Sequence, residues 1–174
     1  ARRYKDTKNV MHIHADYITA EMPGVELLCQ YCDCVVGVSD FIKNKMEEIP
    51  YLKGRGRTLK NAIDLTLFSE KASDETIKEI RQTLGFSIDD IVVLYCGRLS
   101  KEKGCLELIK AVEKVPNVKL LVVGGENFNS NKKTKYVEEL LKESKKNEER
   151  IVFTGPVSHA EVKKYYAAAD IGVV

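Results

Sequence analysis

The chain is 174 residues long, enough for one full domain or one domain plus part of another. It is 44% hydrophobic and 31% charged, and its net charge is +2 with the signs well mixed. Those values exclude a largely disordered chain and argue against a dedicated nucleic-acid binder, which would carry a basic stripe. No apolar run approaches the roughly 20 residues that a membrane span requires. The basic start, Ala1-Arg2-Arg3-Tyr4-Lys5, is followed by no apolar stretch and does not read as a secretory signal. Both ends are expected to be cuts within a longer polypeptide, the second inside a strand at Asp170–Val174. The five cysteines, Cys29, Cys32, Cys34, Cys96 and Cys105, show no disulfide framework and no second pair at zinc-ligand spacing. A reducing, cytoplasmic setting is expected, with Cys29, Cys32 and Cys34 as small core residues at a helix-to-strand join and no metal.

The first third of the chain is the less regular part. Val10–His14 reads as a strand, and Val25–Tyr31 as a helix after the Pro23-Gly24 turn. Cys34–Ser39 reads as a buried strand, and Ser39 or Asp40 caps a helix carrying Phe41, Ile42 and Met46. Lys53–Arg57 is a basic loop, either a solvated turn or a contact for an anionic membrane or lipid-phosphate acceptor. Thr58–Ile63 is expected as a short strand, and Asn61–Ser73 as the join between two lobes. Asp74 opens a helix that runs from Glu75 to Leu84 and stops at Gly85.

From residue 91 strand and helix alternate. Ile91–Tyr95 is a continuous apolar run, typical of a strand buried on both faces. Leu106, Ile109, Val112 and Val115 follow at helical spacing, and Pro116-Asn117 ends that helix. Val118–Val123 is the next strand, closed by Gly124-Gly125. After a polar loop from Asn127 to Lys133, an amphipathic helix is expected over Tyr136–Glu149. Ile151–Thr154 is a third strand, closed by Gly155-Pro156. Ser158 or His159 opens a helix carrying Val162, Tyr165 and Ala169, and Asp170–Val174 begins a fourth strand. The expected class is therefore α/β, with parallel sheets and right-handed connections.

Ligands in such sheets bind outside the carboxyl ends of the strands. Three strands here end in glycine, at Gly97, Gly124-Gly125 and Gly155, which either frame a cleft or serve as turns. The most informative loop is Gly97-Arg98-Leu99-Ser100-Lys101-Glu102-Lys103-Gly104. Arg98 follows a strand end and Lys103 stands where the next helix begins, so a phosphate or diphosphate is the expected guest. The competing possibility is that both cations pair with carboxylates such as Glu102. The loop fits neither the dinucleotide fingerprint nor the P-loop pattern.

Six stretches in order resemble a known family. They are Val38-Ser39-Asp40-Phe41-Ile42; Asn61-Ala62-Ile63-Asp64 with Phe68; Gly97-Arg98-Leu99 with Lys103-Gly104; Val122-Val123-Gly124-Gly125; Ile151–Gly155; and Tyr166–Ile171. Together they resemble the retaining glycosyltransferases of family 4, the glycosyl transferases group 1. His12–Asp16 and the Asn127–Lys135 loop are most similar to its bacterial spore-coat SA and surface-polysaccharide branch. The resemblance implies a GT-B fold of two Rossmann-like parallel-sheet lobes, both incomplete in this chain. Residues 1–66 would be the end of the N-terminal, acceptor-side lobe, and residues 67–174 the first part of the C-terminal, donor-side lobe.

The resemblance further implies transfer of a sugar, with retention, from a nucleoside-diphosphate sugar to a glycan, lipid-linked or surface acceptor. No cofactor or metal is implied, because Arg98 and Lys103 match the family's pair that holds the donor diphosphate. Gly97, Gly124, Gly125, Thr154, Gly155 and Pro156 match the rest of the donor site, the last three near the nucleobase. His14 falls near the family's cleft histidine, with His12 competing for that assignment. Asn61-Ala62 departs from the family's Asn-Gly, and the family's paired-glutamate segment lies past Val174, so the chain alone is expected to be inactive. The expected setting is the cytoplasm, at the inner face of the membrane where an acceptor is lipid-linked. A sugar-nucleotide epimerase and a coat or assembly scaffold that kept the fold are the alternatives.

Overall fold

The continuous apolar runs form strands because a parallel sheet covered on both faces rewards Val, Ile and Leu at every position. A computed structural model describes residues 6–126 and 134–174; the polar loop expected over Asn127–Lys133 lies outside them. The chain divides into two units, 1–63 and 64–174, where a boundary after residue 66 was expected.

The first unit holds β1 (Val10–Ile13), α1 (Val25–Gln30), β2 (Cys34–Gly37), α2 (Asp40–Glu47) and β3 (Gly56–Thr58). Its three strands are parallel, in the order β1-β2-β3. Ser39 caps α2, its hydroxyl accepting the Ile42 N–H at 3.2 Å. Ile42 and Met46 then turn inward onto Val35, Ile49 and Leu52. Cys29 and Cys32 are buried in the same core, and burial pushes both thiols up. Among the described residues, no group of three or more His, Cys, Asp or Glu side chains is placed to hold a metal.

The basic stretch differs from expectation. The strand is Gly56–Thr58, and residues 59–64 have no regular structure. Register explains this: β2 ends at Gly37, which pairs with Thr58, so its short ladder offers no partner for a longer β3. Two of the basic side chains are committed to backbone. Arg55 donates to the carbonyls of Cys29 and Cys32 at 3.3 and 2.9 Å, and Arg57 to that of Gly56 at 2.7 Å.

The second unit begins with α3 (Leu65–Ser69), a short helix capped by Asp64 within the stretch expected to be a join. It continues through α4 (Asp74–Thr83), β4 (Ile91–Cys96), α5 (Cys105–Glu113), β5 (Val118–Val123) and α6 (Lys135–Ser144). It closes with β6 (Ile151–Gly155), α7 (His159–Ala168) and β7 (Ile171–Val173). The sheet order is β6-β5-β4-β7, all parallel. Side chains alternate across β4 and β5 and build two cores. Val93, Tyr95, Leu120 and Val122 pack with Ile109, Val112, Val137 and Leu140 of α5 and α6. Val92, Leu94, Leu121 and Val123 pack on the other face with Leu84, Phe86 and Tyr165. Each such fully buried aliphatic side chain contributes about 1.5–3 kcal/mol relative to exposure.

Helix ends follow their capping chemistry. Ser73, one residue before the expected Asp74, caps α4. Ser158 opens α7 in a capping box: its hydroxyl accepts the Glu161 N–H, and the Glu161 carboxylate accepts the Ser158 N–H. Helix α6 stops at Ser144, short of the expected Glu149, and the chain tightens into a 3-10 turn over Lys145–Asn147. Arg81 of α4 is buried despite its charge. Its guanidinium donates to the carbonyls of Ala168, Ile88 and Asp90 and forks onto both carboxylate oxygens of Asp170 at 2.9 Å. Asp170 also accepts the Val92 N–H at 2.7 Å, so the pair ties α4, the start of β4 and the entry to β7 together. Among the described residues, no helix is long and apolar enough to cross a membrane.

Candidate functional site

All four strands of the second unit are parallel, so their carboxyl ends share one edge of the sheet. A cleft of about 430 Å³ opens there. The end of β4 contributes Cys96, Gly97 and Arg98; the end of β5 contributes Val123, Gly124, Gly125 and Glu126; the turn after β6 contributes Pro156 and Val157, and α7 contributes His159 and Val162.

Backbone hydrogen bonds hold the three strand ends in place. The Gly97 N–H donates to Val123 O at 3.0 Å, Leu99 N–H to Gly125 O at 3.1 Å, and Gly124 N–H to Gly155 O at 3.0 Å. The approach is so close that glycine is required at Gly124. A Cβ there would lie 2.0 Å from the Gly97 carbonyl oxygen, on a backbone with φ of +133°. At Gly125 a Cβ would press on the Pro156 ring at 2.7 Å. These glycines therefore serve close packing of backbone as well as the cleft wall.

Five of the residues expected to bind a donor line this cleft: Gly97, Arg98, Gly124, Gly125 and Pro156. Arg98 is exposed at its mouth. Lys103 is exposed on a 3-10 turn, Lys101–Lys103, that precedes Gly104 and the start of α5, and it is not a lining residue. Thr154 and Gly155 do not line the cleft either. The Thr154 hydroxyl donates to Gly155 O at 2.9 Å, the same carbonyl that accepts from Gly124. His14 belongs to the first unit, exposed just past β1, with its ring centroid 4.5 Å from that of His12.

The charge pattern in the loop is mixed. The Glu102 carboxyl is held below the usual range first by the Ser100 hydroxyl and then by the backbone N–H of Glu102 itself, and the charges of Arg98 and Lys103 add to this. Both cations thus act on Glu102 through space. Two further polar residues reach the cleft without a sequence pattern to announce them. Glu126 lines it while its carboxylate accepts the Thr134 N–H at 2.9 Å, and His159 opens α7 at its rim. The floor at Cys96 adjoins Tyr166, whose hydroxyl is pushed up first by burial and then by Cys96.

The chain resembles known proteins along most of its length. Spore coat protein SA of Bacillus subtilis is 27% identical over 147 residues, covering 80% of this chain and 39% of that protein. An uncharacterized glycosyltransferase of Methanocaldococcus jannaschii is 29% identical over 156 residues, covering 87% of this chain and 38% of that protein. The chain thus spans about two fifths of the length of these curated relatives. Among solved structures, Anabaena HepE in complex with UDP and glucose superposes with a TM-score of 0.74 at 23% identity, over 95% of this chain and 45% of that one. That likeness gives the fold, GT-B with Rossmann-like parallel sheets. Residues 76–174 match the family model of the glycosyl transferases group 1. Because this match spans more than half of its residues, the chain belongs to the glycosyl transferases group 1 family.

Proposed function

We propose that the chain is the donor-binding part, with a piece of the acceptor lobe, of a glycosyltransferase that uses a nucleoside-diphosphate sugar. The observation that carries this is the cleft at the carboxyl edge of β4, β5 and β6, walled by glycines and bearing Arg98. Its size suits a small-molecule ligand. Family membership and the UDP and glucose held by Anabaena HepE support the same ligand class.

In this mechanism the glycosidic bond to the leaving diphosphate lengthens, the sugar takes on oxocarbenium character and negative charge collects on the phosphate oxygens. Arg98 faces that charge with a fork matched to two oxygens, and Lys103 adds a point charge from the neighbouring turn. Fixed cations gain most where charge is greatest, so they favour the transition state over the bound donor. They fill the role that a divalent metal takes in other transferases. The sugar passes with retention to a glycan, lipid-linked or surface acceptor, and residues 1–66, His14 among them, are assigned to the acceptor side. Hexosyl transfer at the inner face of the membrane is the setting this implies.

The test is binding of UDP-, GDP- and ADP-sugars to the whole protein. One donor is expected to bind, and Arg98→Ala to weaken it about 10- to 100-fold, the worth of a charge-assisted hydrogen-bonding pair. Lys103→Ala should cost less, because Lys103 stands off the cleft wall. Absence of binding by the folded protein would overturn the donor assignment and favour a scaffold.

A further inference from the structure

Among the described residues the Arg98 guanidinium makes no hydrogen bond or ion pair, and it acts on Glu102 only through space. Where it reaches depends on where its backbone stands. Four hydrogen bonds hold that backbone. Three are main-chain bonds: Gly97 N–H to Val123 O, Leu99 N–H to Gly125 O, and Ser100 N–H to Arg98 O at 3.1 Å. The fourth is a side-chain bond, from the Tyr95 hydroxyl to the Arg98 carbonyl at 2.7 Å. It is the shortest of the four and acts on Arg98 itself.

Tyr95 lies three residues before Arg98 on β4. Its ring is 5% exposed and packs in the core with Ile109 and Val112 of α5 and with Leu120 of β5. A buried ring has little freedom, so its hydroxyl is a fixed post beneath the loop. Burial, with smaller contributions from Cys105, Tyr136, Cys96 and Glu102, pushes this hydroxyl up to about 12. It therefore stays protonated, and a donor, throughout the physiological range.

We infer that Tyr95 is a positioning residue for donor binding: by donating to the Arg98 carbonyl it sets the point from which the guanidinium reaches the diphosphate. The inference rests on the proposed donor site. Its physical reason is that a cation gains its catalytic advantage from being placed in advance, and an error of about 1 Å at a charged contact is expensive. The Arg98 carbonyl keeps the Ser100 N–H when the hydroxyl is removed, so it is not orphaned. Tyr95→Phe keeps the ring and its packing and removes only the hydroxyl.

The experiment is a double-mutant cycle on the whole protein, with Tyr95→Phe, Arg98→Ala and the double variant, read by binding of the nucleoside diphosphate and of the matching nucleoside. Tyr95→Phe is expected to weaken the diphosphate about three- to tenfold, the worth of one hydrogen bond. It should leave the nucleoside unchanged and add no further loss to Arg98→Ala. A loss that recurs undiminished in the Arg98→Ala background, or that falls equally on the nucleoside, would overturn the inference and leave the donor site standing. Unchanged diphosphate binding in a folded Tyr95→Phe protein would do the same. If the wild-type protein binds the nucleoside but not the diphosphate, or binds neither, the donor site itself falls and the inference with it.

Discussion

Arg81→Ala is expected to destabilise the 64–174 unit by about 3 kcal/mol, seen as a lower urea midpoint with little change in slope. The guanidinium is buried and supplies bonds to three backbone carbonyls and a fork to Asp170. Truncation removes a planar, five-donor group from three carbonyls at once and leaves Asp170 with the Val92 N–H. The Asp170 side chain is 45% exposed, so water partly rescues its carboxylate and places the cost at the low end for a broken buried pair. Arg81→Lys should recover only part of the loss, because one ammonium cannot reach acceptors that are spread around a fork. An unchanged midpoint for Arg81→Ala would show that the pair contributes nothing net.

The second large effect is expected at Gly124→Ala. Positive φ costs a non-glycine residue about 1–3 kcal/mol, and forcing a methyl group against packed backbone costs about 1–3 kcal/mol again. The Gly97 carbonyl in its path cannot swing away freely, because Gly97 is held to Val123 by its own N–H. Relief would come from moving the Gly97–Leu99 loop, and Arg98 with it. The variant should therefore lose stability and, on the proposed function, nucleotide-sugar binding as well. Gly172→Ala is the matched control: a Cβ there meets open space, and its urea midpoint should hardly move. If Gly124→Ala melts with the wild type and binds as well, the close approach of the two strand ends is not a constraint.

Much of the second unit's sheet could be read directly from residues. Strands β4, β5 and β6 announce themselves as apolar runs closed by glycine, because their surroundings are apolar on both faces. Strand β3 does not, since Gly56-Arg57-Thr58 carries no apolar signal and owes its place to the register with β2. Helix α3 is five residues long, too short for a periodic pattern to emerge. Arg81 is invisible for a different reason: a charged residue in an amphipathic helix looks solvated, and only its partners, far along the chain, explain its burial. At the cleft, glycines and Arg98 were conspicuous by spacing. Lys103 looked equally close, but the 3-10 turn and the left-handed Gly104 place it before the helix and off the wall. Glu126 and His159 sit in the cleft with no spacing rule to mark them, since a single carboxylate after a strand and a single histidine at a helix start recur on many surfaces.

The Arg81–Asp170 pair joins residues 89 apart in sequence, so its closure carries a large loop entropy and is expected late in folding. An interaction formed that late is largely absent from the folding transition state. Its loss should fall on the unfolding rate, raising it on the order of a hundredfold, and leave the refolding rate nearly untouched. The pair thus governs how long the folded unit survives between openings rather than how quickly it assembles. Stopped-flow kinetics of Arg81→Ala would show the unfolding limb displaced and the refolding limb in place.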